Sequence, residues 1–308
     1  MRSRTAVVAG ASGYIGRHLV EALRGRGVTV RTIGRSGSSD ATWDEPAAVE
    51  RVLSDADLLV NLAGRSVSCR YGKRNADEIL SSRIGTTAAL GRALQQVASP
   101  DLLWVNASTA TIYRDARDRP MGEVDGEIGS GFSVEVARAW ERELVEAPTD
   151  VRKVALRMSI VLGAGGGAIN PIINLARLGF GGRMGDGGQK VSWVHVDDVV
   201  GAVLHLVEHP EISGPVNVAA PEVVTNGELM AQVRATMGRR VGLPEPAWLL
   251  EVGARIIRTE AELVLKSRWV ASDVLKGSGY AFSHETLESA LDDIASRTPR
   301  GLLPVALG

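Results

Sequence analysis

Short apolar runs alternate with amphipathic stretches through the first 160 residues of the chain. The runs are rich in Val, Leu and Ile, which is typical of buried strands, and the stretches between them have the spacing of amphipathic helices. The runs are Thr5–Ala9, Val28–Ile33, Leu58–Leu62, Leu102–Ala107 and Val154–Leu156. Because strand and helix alternate, the pattern predicts an α/β fold with a doubly wound parallel sheet covered by helices on both faces.

The pattern changes after Arg157, where glycines become frequent. Gly163–Gly167, Gly179–Gly182 and Gly185–Gly188 are predicted to be loops of the kind that line clefts. Later segments predict a strand, two helices and two short apolar pieces: Val216–Val218, Asn226–Met237, Pro246–Arg258, Leu263–Leu265 and Trp269–Ala271. We therefore predict a core in residues 1–160. Residues 161–308 are predicted to form a smaller α/β lobe that interleaves with the core's last elements, with a C-terminal extension from about residue 246.

Composition and charge limit the kinds of partner. The 308 residues carry 35 Lys and Arg against 36 Asp and Glu, and 44% are hydrophobic. This balance is typical of a globular protein and gives no electrostatic reason to bind nucleic acid or an anionic membrane. The N-terminal apolar stretch is too short for an export signal, and no segment reaches the ~20 apolar residues that span a bilayer. One cysteine, Cys69, fits a reducing compartment, so we expect a cytoplasmic protein.

A glycine motif stands between the first predicted strand and the helical run that follows. Gly10, Gly13 and Gly16 have the spacing that permits a tight turn, lets backbone N–H groups approach a pyrophosphate and allows close contact between helix and strand. The motif predicts that the fold is Rossmann-type and that this loop binds a dinucleotide. The predicted contacts are Gly10, Ser12, Gly13, Tyr14, Ile15 and Gly16.

The residues after the second predicted strand favour NADP(H) over NAD(H). An NAD site generally has an acidic residue there to bind the ribose hydroxyls. This chain instead has Arg35 and Ser36, a guanidinium and a hydroxyl suited to a 2′-phosphate. Asp44 is a candidate acceptor for the adenine amino group or, equally, a helix N-cap.

The motifs resemble those of the extended short-chain dehydrogenase/reductases over nearly the whole chain. Gly10–Gly16 looks like the family's glycine motif, Ser108–Tyr113 like its Ser-Ser-x-x-Val-Tyr stretch and His195–Val199 like its His-Val-x-Asp segment. Five segments look like the atypical branch labelled "epimerase family protein": Asn61–Arg65, Ser82–Ile84, Phe132–Glu141, Gly163–Gly167 and Ser192–Asp198. Members of that branch have an extra C-terminal domain, which Pro246–Leu303 would supply.

The resemblance implies further site residues. Thr109 falls on the family's catalytic Ser/Thr, whose hydroxyl hydrogen-bonds the substrate oxygen. Ser108 is a second catalytic candidate or, equally, a strand-end serine that satisfies backbone groups. The signature beside the adenine ribose is matched by Asn61, Leu62, Ala63 and Gly64. Ser82 and Arg157 are also candidate cofactor contacts, and a buried ion pair is the alternative for Arg157.

The chain departs from the family at its Tyr-x-x-x-Lys pair. That spacing puts both side chains on one helix face, where the ammonium lowers the pKa of the phenol. The matching positions here hold Phe132 and Val136. No other tyrosine of the chain restores the pair, because none is followed four residues later by a lysine. The four pairs are Tyr14 and His18, Tyr71 and Asn75, Tyr113 and Arg117, and Tyr280 and His284.

This absence favours carbonyl reduction over sugar epimerisation, which must first deprotonate an unactivated alcohol. We expect an NADPH-dependent ketoreductase in which Thr109 polarises the carbonyl and the proton comes from water or from the substrate. Some tailoring ketoreductases of aromatic polyketide and antibiotic pathways look like this branch, so a polycyclic aromatic ketone is one candidate substrate. The alternatives are a nucleotide-sugar epimerase or dehydratase with another base, and a non-catalytic NADP(H) sensor.

Three further positions have competing interpretations. Tyr113 is a candidate proton donor or, as we favour, a structural residue. His195 is a candidate acid or, as we favour, a residue that makes a structural hydrogen bond. Asp197 and Asp198 are adjacent and should point in different directions, so no metal site is predicted, and Asp198 is expected to cap the helix that follows. The sequence leaves open whether the protein is a monomer or a homodimer.

Overall fold

The computed structural model describes residues 4–67, 69, 72–97, 99–243 and 265–304. Seven strands form one sheet: β1 (Thr5–Ala9), β2 (Thr29–Gly34), β3 (Ala41–Thr42), β4 (Leu58–Asn61), β5 (Leu103–Thr109), β6 (Arg152–Met158) and β10 (Gly214–Val218). All neighbours in this sheet are parallel, in the order β10-β6-β5-β4-β1-β2-β3. The direction of winding changes between β1 and β4, so the predicted doubly wound parallel sheet is confirmed.

Helices cover both faces of the sheet. The α-helices of the described residues are α1 (Tyr14–Gly25), α2 (Pro46–Leu53), α3 (Lys73–Val97), α4 (Phe132–Val145), α5 (Ile169–Arg177), α6 (Val196–Glu208), α7 (Asn226–Thr236), α8 (Asp273–Gly277) and α9 (Leu287–Arg297). Side chains of α1 and α6 pack on one face of the sheet. Side chains of α2, α3 and α4 pack on the other face. The core therefore has two apolar layers separated by the sheet.

A smaller apolar cluster lies outside the sheet. It is built on Trp193, which is fully buried, and on residues of α5, α7 and α9. Four short strands accompany it: β7 (Ile160–Leu162), β8 (Lys190–Val191), β9 (Trp193–His195) and β11 (Val224–Thr225). β7 pairs with β9 in parallel, and β8 pairs with β11 antiparallel.

The predicted elements agree with the observed ones to within one or two residues. β1 and the helix predicted from Asn226 show this, and the three glycine-rich stretches are loops. Strands of only two or three residues, such as β3, carry too little periodicity to be predicted. Pro246–Arg258 and most of Leu263–Leu265 lie outside the described residues, and the domain boundary near residue 160 stays a prediction. Among the described helices, none combines the length and apolar character needed to cross a membrane.

A row of buried polar side chains crosses the carboxyl ends of three strands. Ser108 on β5 is in register with Arg157 on β6, which is in register with Asn217 on β10. Glu141 on α4 accepts hydrogen bonds from Arg157 Nε at 2.8 Å and Nη2 at 2.7 Å, and from the Ser108 hydroxyl at 2.6 Å. The helix is therefore joined to the sheet by a bidentate ion pair.

Tyr113 extends this row toward β10. Arg157 Nη1 donates to the Tyr113 hydroxyl at 2.8 Å, and that hydroxyl donates to Asn217 Oδ1 at 2.9 Å. Burial alone would lower the pKa of Arg157, but the hydrogen bonds and charge of Glu141 outweigh burial and raise it. We call these five side chains, Ser108, Tyr113, Glu141, Arg157 and Asn217, the buried network.

Replacing Glu141 with Gln should destabilise the protein strongly. The Glu141→Gln variant keeps the shape of the side chain but leaves the Arg157 charge buried without a counter-charge. Breaking a buried pair in this way costs about 3 kcal/mol or more of the free energy of unfolding. Urea denaturation at neutral pH would measure the loss.

Two comparisons make this test specific. The Glu141→Leu/Arg157→Met double variant removes both charges and should be more stable than Glu141→Gln. Asp186→Asn breaks the exposed Arg117–Asp186 pair and should change stability little. Equal losses in Glu141→Gln and Asp186→Asn would contradict our account of the network.

Candidate functional site

The glycine motif forms a tight loop at the carboxyl end of β1. Gly10 has φ of +80°, and a Cβ on it would lie 2.8 Å from the Leu62 carbonyl carbon. A Cβ on Gly16 would lie 2.8 Å from Ala11 Cα, so α1 packs directly on the loop. The Gly13 N–H donates to the Gly10 carbonyl at 3.0 Å and closes the turn. Gly10 and Gly16 therefore have steric reasons to be glycine.

The N-terminus of α1 fits a phosphate group. Gly13 is the N-cap and offers no side chain to accept from the first amides of the helix. Ser12 is exposed, and its carbonyl accepts from Arg17 Nη1 at 2.7 Å. Uncapped amides and the positive end of the helix dipole are the features that bind a pyrophosphate. Ile15 packs against the core cluster under α1, so its side chain anchors the helix.

Tyr14 joins the glycine motif to the glycine-rich loop 163–167. Its hydroxyl donates to the Ala164 carbonyl at 3.3 Å. A Cβ on Gly166 would lie 2.9 Å from Tyr14 Cε2, and a Cβ on Gly167 would lie 3.3 Å from Tyr14 Cε1. The phenol ring therefore occupies space that these glycines leave open.

The loop after β2 presents hydroxyls and one cation. Arg35 and Ser36 are both exposed, and the Ser36 hydroxyl lies 2.9 Å from the Ser38 hydroxyl. Ser38 was not among the residues predicted from the sequence. The Thr32 N–H and hydroxyl donate to Asp40 Oδ2 at 2.7 and 2.9 Å and fix the base of the loop. This local arrangement suits a phosphate on the outer edge of the sheet.

Asp44 is not the helix cap that the sequence allowed. The N-cap of α2 is Glu45, and Asp44 lies exposed one residue earlier. A hydrogen bond from the Thr42 side chain lowers the pKa of Asp44. The other suggested role of Asp44, a contact to adenine, stays a prediction.

The Asn61–Gly64 segment is held by side chains from two neighbouring elements. Asn61 is fully buried, and its Nδ2 donates to Asn106 Oδ1 at 2.7 Å. Its Oδ1 accepts from the Ala63 N–H at 3.1 Å, and the Leu62 N–H donates to the Ala9 carbonyl at 2.9 Å. Asn61 thus shapes the loop that crosses the mouth of the glycine motif.

Two candidate cofactor contacts are engaged within the protein. The Ser82 hydroxyl accepts from the Arg65 N–H at 3.0 Å and donates to the Ile79 carbonyl at 3.2 Å, so it holds the segment after Gly64. Arg157 forms the ion pair that the sequence offered as its alternative role. Contacts from Ser82 and Arg157 to a cofactor stay predictions.

Thr109 is the last residue of β5 and has its hydroxyl at the carboxyl edge of the sheet. It is half-buried, and its Oγ1 accepts from the Thr111 N–H at 3.2 Å and lies 3.1 Å from the Thr111 hydroxyl. Thr109 is also the N-cap of a short 3₁₀ helix, 110–112. Ser108, by contrast, is 3% exposed and donates to Glu141, so these adjacent hydroxyls have different surroundings.

The start of α4 is apolar where the family has its Tyr and Lys. Phe132 and Val136 pack in one cluster with Cys69, Ile79 and Leu80. Cys69 is buried and unbridged. Neither Phe132 nor Val136 offers an acid or a base.

Each of the three tyrosines that the structure describes has its hydroxyl in use. Tyr113 is 1% exposed and donates to Asn217, while Tyr280 donates to the Asp198 carbonyl at 3.1 Å. Burial raises the pKa of Tyr14, Tyr113 and Tyr280. These phenols are weak acids at neutral pH, and the structural role favoured for Tyr113 agrees with its contacts. Tyr71 lies outside the described residues.

His195 caps α6, which corrects the role expected for Asp198. The Asp197 N–H donates to His195 Nδ1 at 3.2 Å. The Asp198 carboxylate instead accepts from the backbone N–H groups of Ser283 and His284 at 2.6 and 3.0 Å, so it fixes the segment before α9. Burial and the neighbouring His284 lower the pKa of His195, which favours a neutral ring.

A polar cleft opens next to Tyr113. Its volume is about 400 Å³. Its lining residues are Tyr113, Arg114, Asp115, Ile128, Gly129, Ser130, Lys266 and Arg268. Arg114 of this lining is already paired with Asp118 and Glu127, so the cleft is polar and its charge alone selects no class of ligand.

Comparison with known proteins identifies the family. Residues 6–219 match the NAD dependent epimerase/dehydratase family, and residues 246–294 match a domain of unknown function, DUF1731. The human epimerase family protein SDR39U1 is 31% identical over 300 residues, covering 94% of this chain and 99% of the human protein. An epimerase family protein of Mycobacterium tuberculosis is 32% identical over 308 residues, covering 96% of this chain and 99% of that protein.

Solved structures agree in fold. The crystal structure of human SDR39U1 (isoform 2) with NADPH has a TM-score of 0.87 at 30% identity, covering 95% of this chain and 99% of that one. UDP-N-acetylglucosamine 4-epimerase from Bacillus cereus has a TM-score of 0.76 at 20% identity, covering 99% of both chains, and shows the fold alone. This chain belongs to the NAD dependent epimerase/dehydratase family and, in the branch expected from its motifs, carries the additional C-terminal domain.

Proposed function

We propose that this protein is an NADPH-dependent carbonyl reductase. The observation that carries the proposal is the contrast between β5 and α4. Thr109 keeps a half-buried hydroxyl at the sheet edge, whereas the α4 positions for an acid and its ammonium partner are filled by Phe132 and Val136. The site can polarise a carbonyl but has no strong base among these residues.

NADPH is the expected cofactor because of the loops after β1 and β2. The N-terminus of α1 would bind the pyrophosphate, and Arg35 with Ser36 would bind the 2′-phosphate. The human relative is described with NADPH, which supports this assignment. When bound, NADPH supplies the hydride for the carbonyl carbon.

Thr109 would donate its hydroxyl proton as a hydrogen bond to the substrate oxygen. Its Oγ1 accepts the Thr111 N–H, which orients the hydroxyl. When the Thr111 hydroxyl donates the 3.1 Å contact between the two side chains, the Thr109 proton is available for the substrate oxygen. As hydride reaches the carbonyl carbon, negative charge grows on the oxygen, and a positioned donor stabilises that charge. The oxygen then takes a proton from water or from an acidic hydroxyl of the substrate, which gives the alcohol.

Carbonyl reduction needs no strong base from these residues, whereas oxidation of a sugar alcohol does. The first step of epimerisation removes a proton from an unactivated hydroxyl, and the described tyrosines have raised pKa values and occupied hydroxyls. Activated ketones need only polarisation and hydride. Quinones and polycyclic aromatic ketones are therefore the substrate classes to test.

Replacing Thr109 with Val should remove most of the activity. Val has the shape of Thr but no hydroxyl, so the Thr109→Val variant loses the donor to the carbonyl oxygen. We expect kcat to fall ~10²-fold or more with little change in NADPH affinity. NADPH oxidation, followed by absorbance over the ketone panel, would measure kcat, and fluorescence titration would measure affinity.

Thr111→Val is the matched control. It makes the same chemical change two residues away and should lose no more than a few-fold in rate. Equal losses in the two variants would contradict the role of Thr109. If no ketone is reduced although NADPH binds, a sensor role replaces the proposal. Interconversion of UDP-hexoses by the holoprotein would instead favour an epimerase.

Arg35 should determine the preference for NADPH. The Arg35→Asp variant places a negative charge where the 2′-phosphate would bind, so we expect the Kd for NADPH to rise ~100-fold or more and the Kd for NADH to change little. Calorimetric titration with each dinucleotide would measure both constants.

Arg92→Asp controls for the change in total charge. Arg92 is exposed on the C-terminal half of α3, away from the loop after β2. We expect this variant to bind NADPH as the unmodified protein does. A similar weakening of NADPH and NADH by Arg35→Asp would rule out a 2′-phosphate contact.

A further inference from the structure

Four metal-ligating side chains meet beside the N-terminus of α6. His195, Asp197, His284 and Asp293 each offer one donor atom, and these atoms all lie within 4.8 Å of one another. Two belong to the start of α6, and the other two belong to the segment before α9 and to α9 itself. The fold therefore brings together two histidines and two carboxylates from distant parts of the chain.

His195 supplies independent evidence for a ligand at this place. The residue is 0% exposed, and its Nε2 has no hydrogen-bond partner. Nε2 lies 3.3 Å from Asp293 Oδ2, a buried oxygen that also has no hydrogen-bond partner. Ligands at ~2.0–2.1 Å from a tetrahedral zinc ion are about 3.3–3.4 Å apart. An ion bound by both atoms would satisfy two buried polar groups that contact each other without forming a hydrogen bond.

The contact that His284 makes through Nδ1 leaves Nε2 as its candidate ligand atom. Its Nδ1 lies 3.1 Å from the Ser289 hydroxyl, and its backbone N–H donates to Asp198 Oδ2 at 3.0 Å. When Nδ1 carries the ring proton and donates it to Ser289, Nε2 keeps a lone pair for a metal. Such a hydrogen bond to the distal nitrogen is the usual support of a ligating histidine.

Coordination by His195 requires a change of tautomer. In the structure Nδ1 accepts the Asp197 N–H, so the neutral ring carries its proton on Nε2. To ligate through Nε2, the ring must carry the proton on Nδ1, where Asp197 Oδ2 at 3.5 Å can accept it. One proton leaves Nε2 and one is taken up at Nδ1, so the change is balanced. The result is a carboxylate–imidazole–metal arrangement.

The charge and donor types select the class of ion. Two carboxylates face one guanidinium, because Arg297 Nη2 lies 2.8 Å from Asp293 Oδ1 and 3.9 Å from Asp197 Oδ2. The surroundings are therefore net negative when both histidines are neutral. Imidazole nitrogen with carboxylate oxygen suits zinc and its neighbours, whereas calcium and magnesium prefer oxygen alone. We propose that His195, His284 and Asp293, with Asp197 orienting His195, bind one divalent transition-metal ion such as Zn²⁺.

Zinc titration of the full chain tests this site. After removal of metals with a chelator, calorimetry with ZnCl₂ and elemental analysis after dialysis should give one Zn²⁺ per chain, and MgCl₂ should show no binding. His284→Gln and Asp293→Asn should each weaken zinc binding at least ~10-fold. Both variants should keep the affinity of the unmodified protein for NADPH.

The His205–His209 pair provides the matched control. These rings stack at 3.9 Å on α6 and its C-cap, where i, i+4 histidines could also attract zinc. His209→Gln should bind zinc as the unmodified protein does. Loss of binding in His209→Gln alone, or unchanged binding in both His284→Gln and Asp293→Asn, would overturn the proposal.

Two further measurements keep the test decisive if a variant is unstable. Zinc should raise the Tm of the unmodified chain, since a ligand that binds only the folded state stabilises it. The same zinc concentration should raise the Tm of His284→Gln by much less, and the half-exposed side chain of His284 is tolerant of replacement. Co²⁺ bound to the unmodified protein should give the visible absorption bands of tetrahedral nitrogen and oxygen ligation. If bound Co²⁺ gives only the weak absorption of octahedral coordination, the tetrahedral site is refuted.

Discussion

The structure of the site depends on one buried charge. Arg157 lies at the carboxyl end of a central strand, where a guanidinium without a counter-charge would be very costly. Glu141 neutralises it with two hydrogen bonds and thereby fixes α4 against β5 and β6. The same carboxylate accepts a hydrogen bond from the Ser108 hydroxyl, and the same guanidinium donates one to the Tyr113 hydroxyl. The ion pair thus determines which hydroxyls at this edge are available for chemistry.

Thr109 remains half-buried because the strand alternates. Ser108 faces the α4 side and is absorbed into the buried network, while the next residue ends the strand and turns into the 3₁₀ helix. The apolar start of α4 completes the environment with Phe132 and Val136. The site therefore holds one hydrogen-bond donor, the Thr109 hydroxyl, in a fixed position. The α4 positions that would supply an acid and its ammonium partner hold Phe132 and Val136 instead.

Local sequence patterns predicted most of the fold. Strands such as β1 are continuous apolar runs, and the glycine motif predicts both a turn and the helix that follows. Local patterns failed where a side chain acts on a distant segment. Asp198 was expected to cap its own helix because its neighbours suggest that role, but its carboxylate binds the amides of Ser283 and His284.

The candidate site was only partly predictable for the same reason. Thr109 and Gly10–Gly16 are recognisable from a few adjacent residues. Glu141, Asn217 and Asp293 have no local signal, because their partners lie on other strands or helices and only the assembled sheet and lobe bring them together. A carboxylate 16 positions before a strand arginine on the sequence is unremarkable until α4 folds back on β6.

The packing of Tyr14 against the loop 163–167 has an evolutionary consequence. A side chain added at Gly166 would collide with the ring, whereas a smaller residue at position 14 would leave a void beneath the loop. Substitutions in these two segments are therefore contingent on each other, although about 150 positions separate them along the chain. In relatives with a smaller residue at position 14, we expect larger side chains in the loop 163–167 to fill the space of the ring. The two segments should therefore change together in evolution.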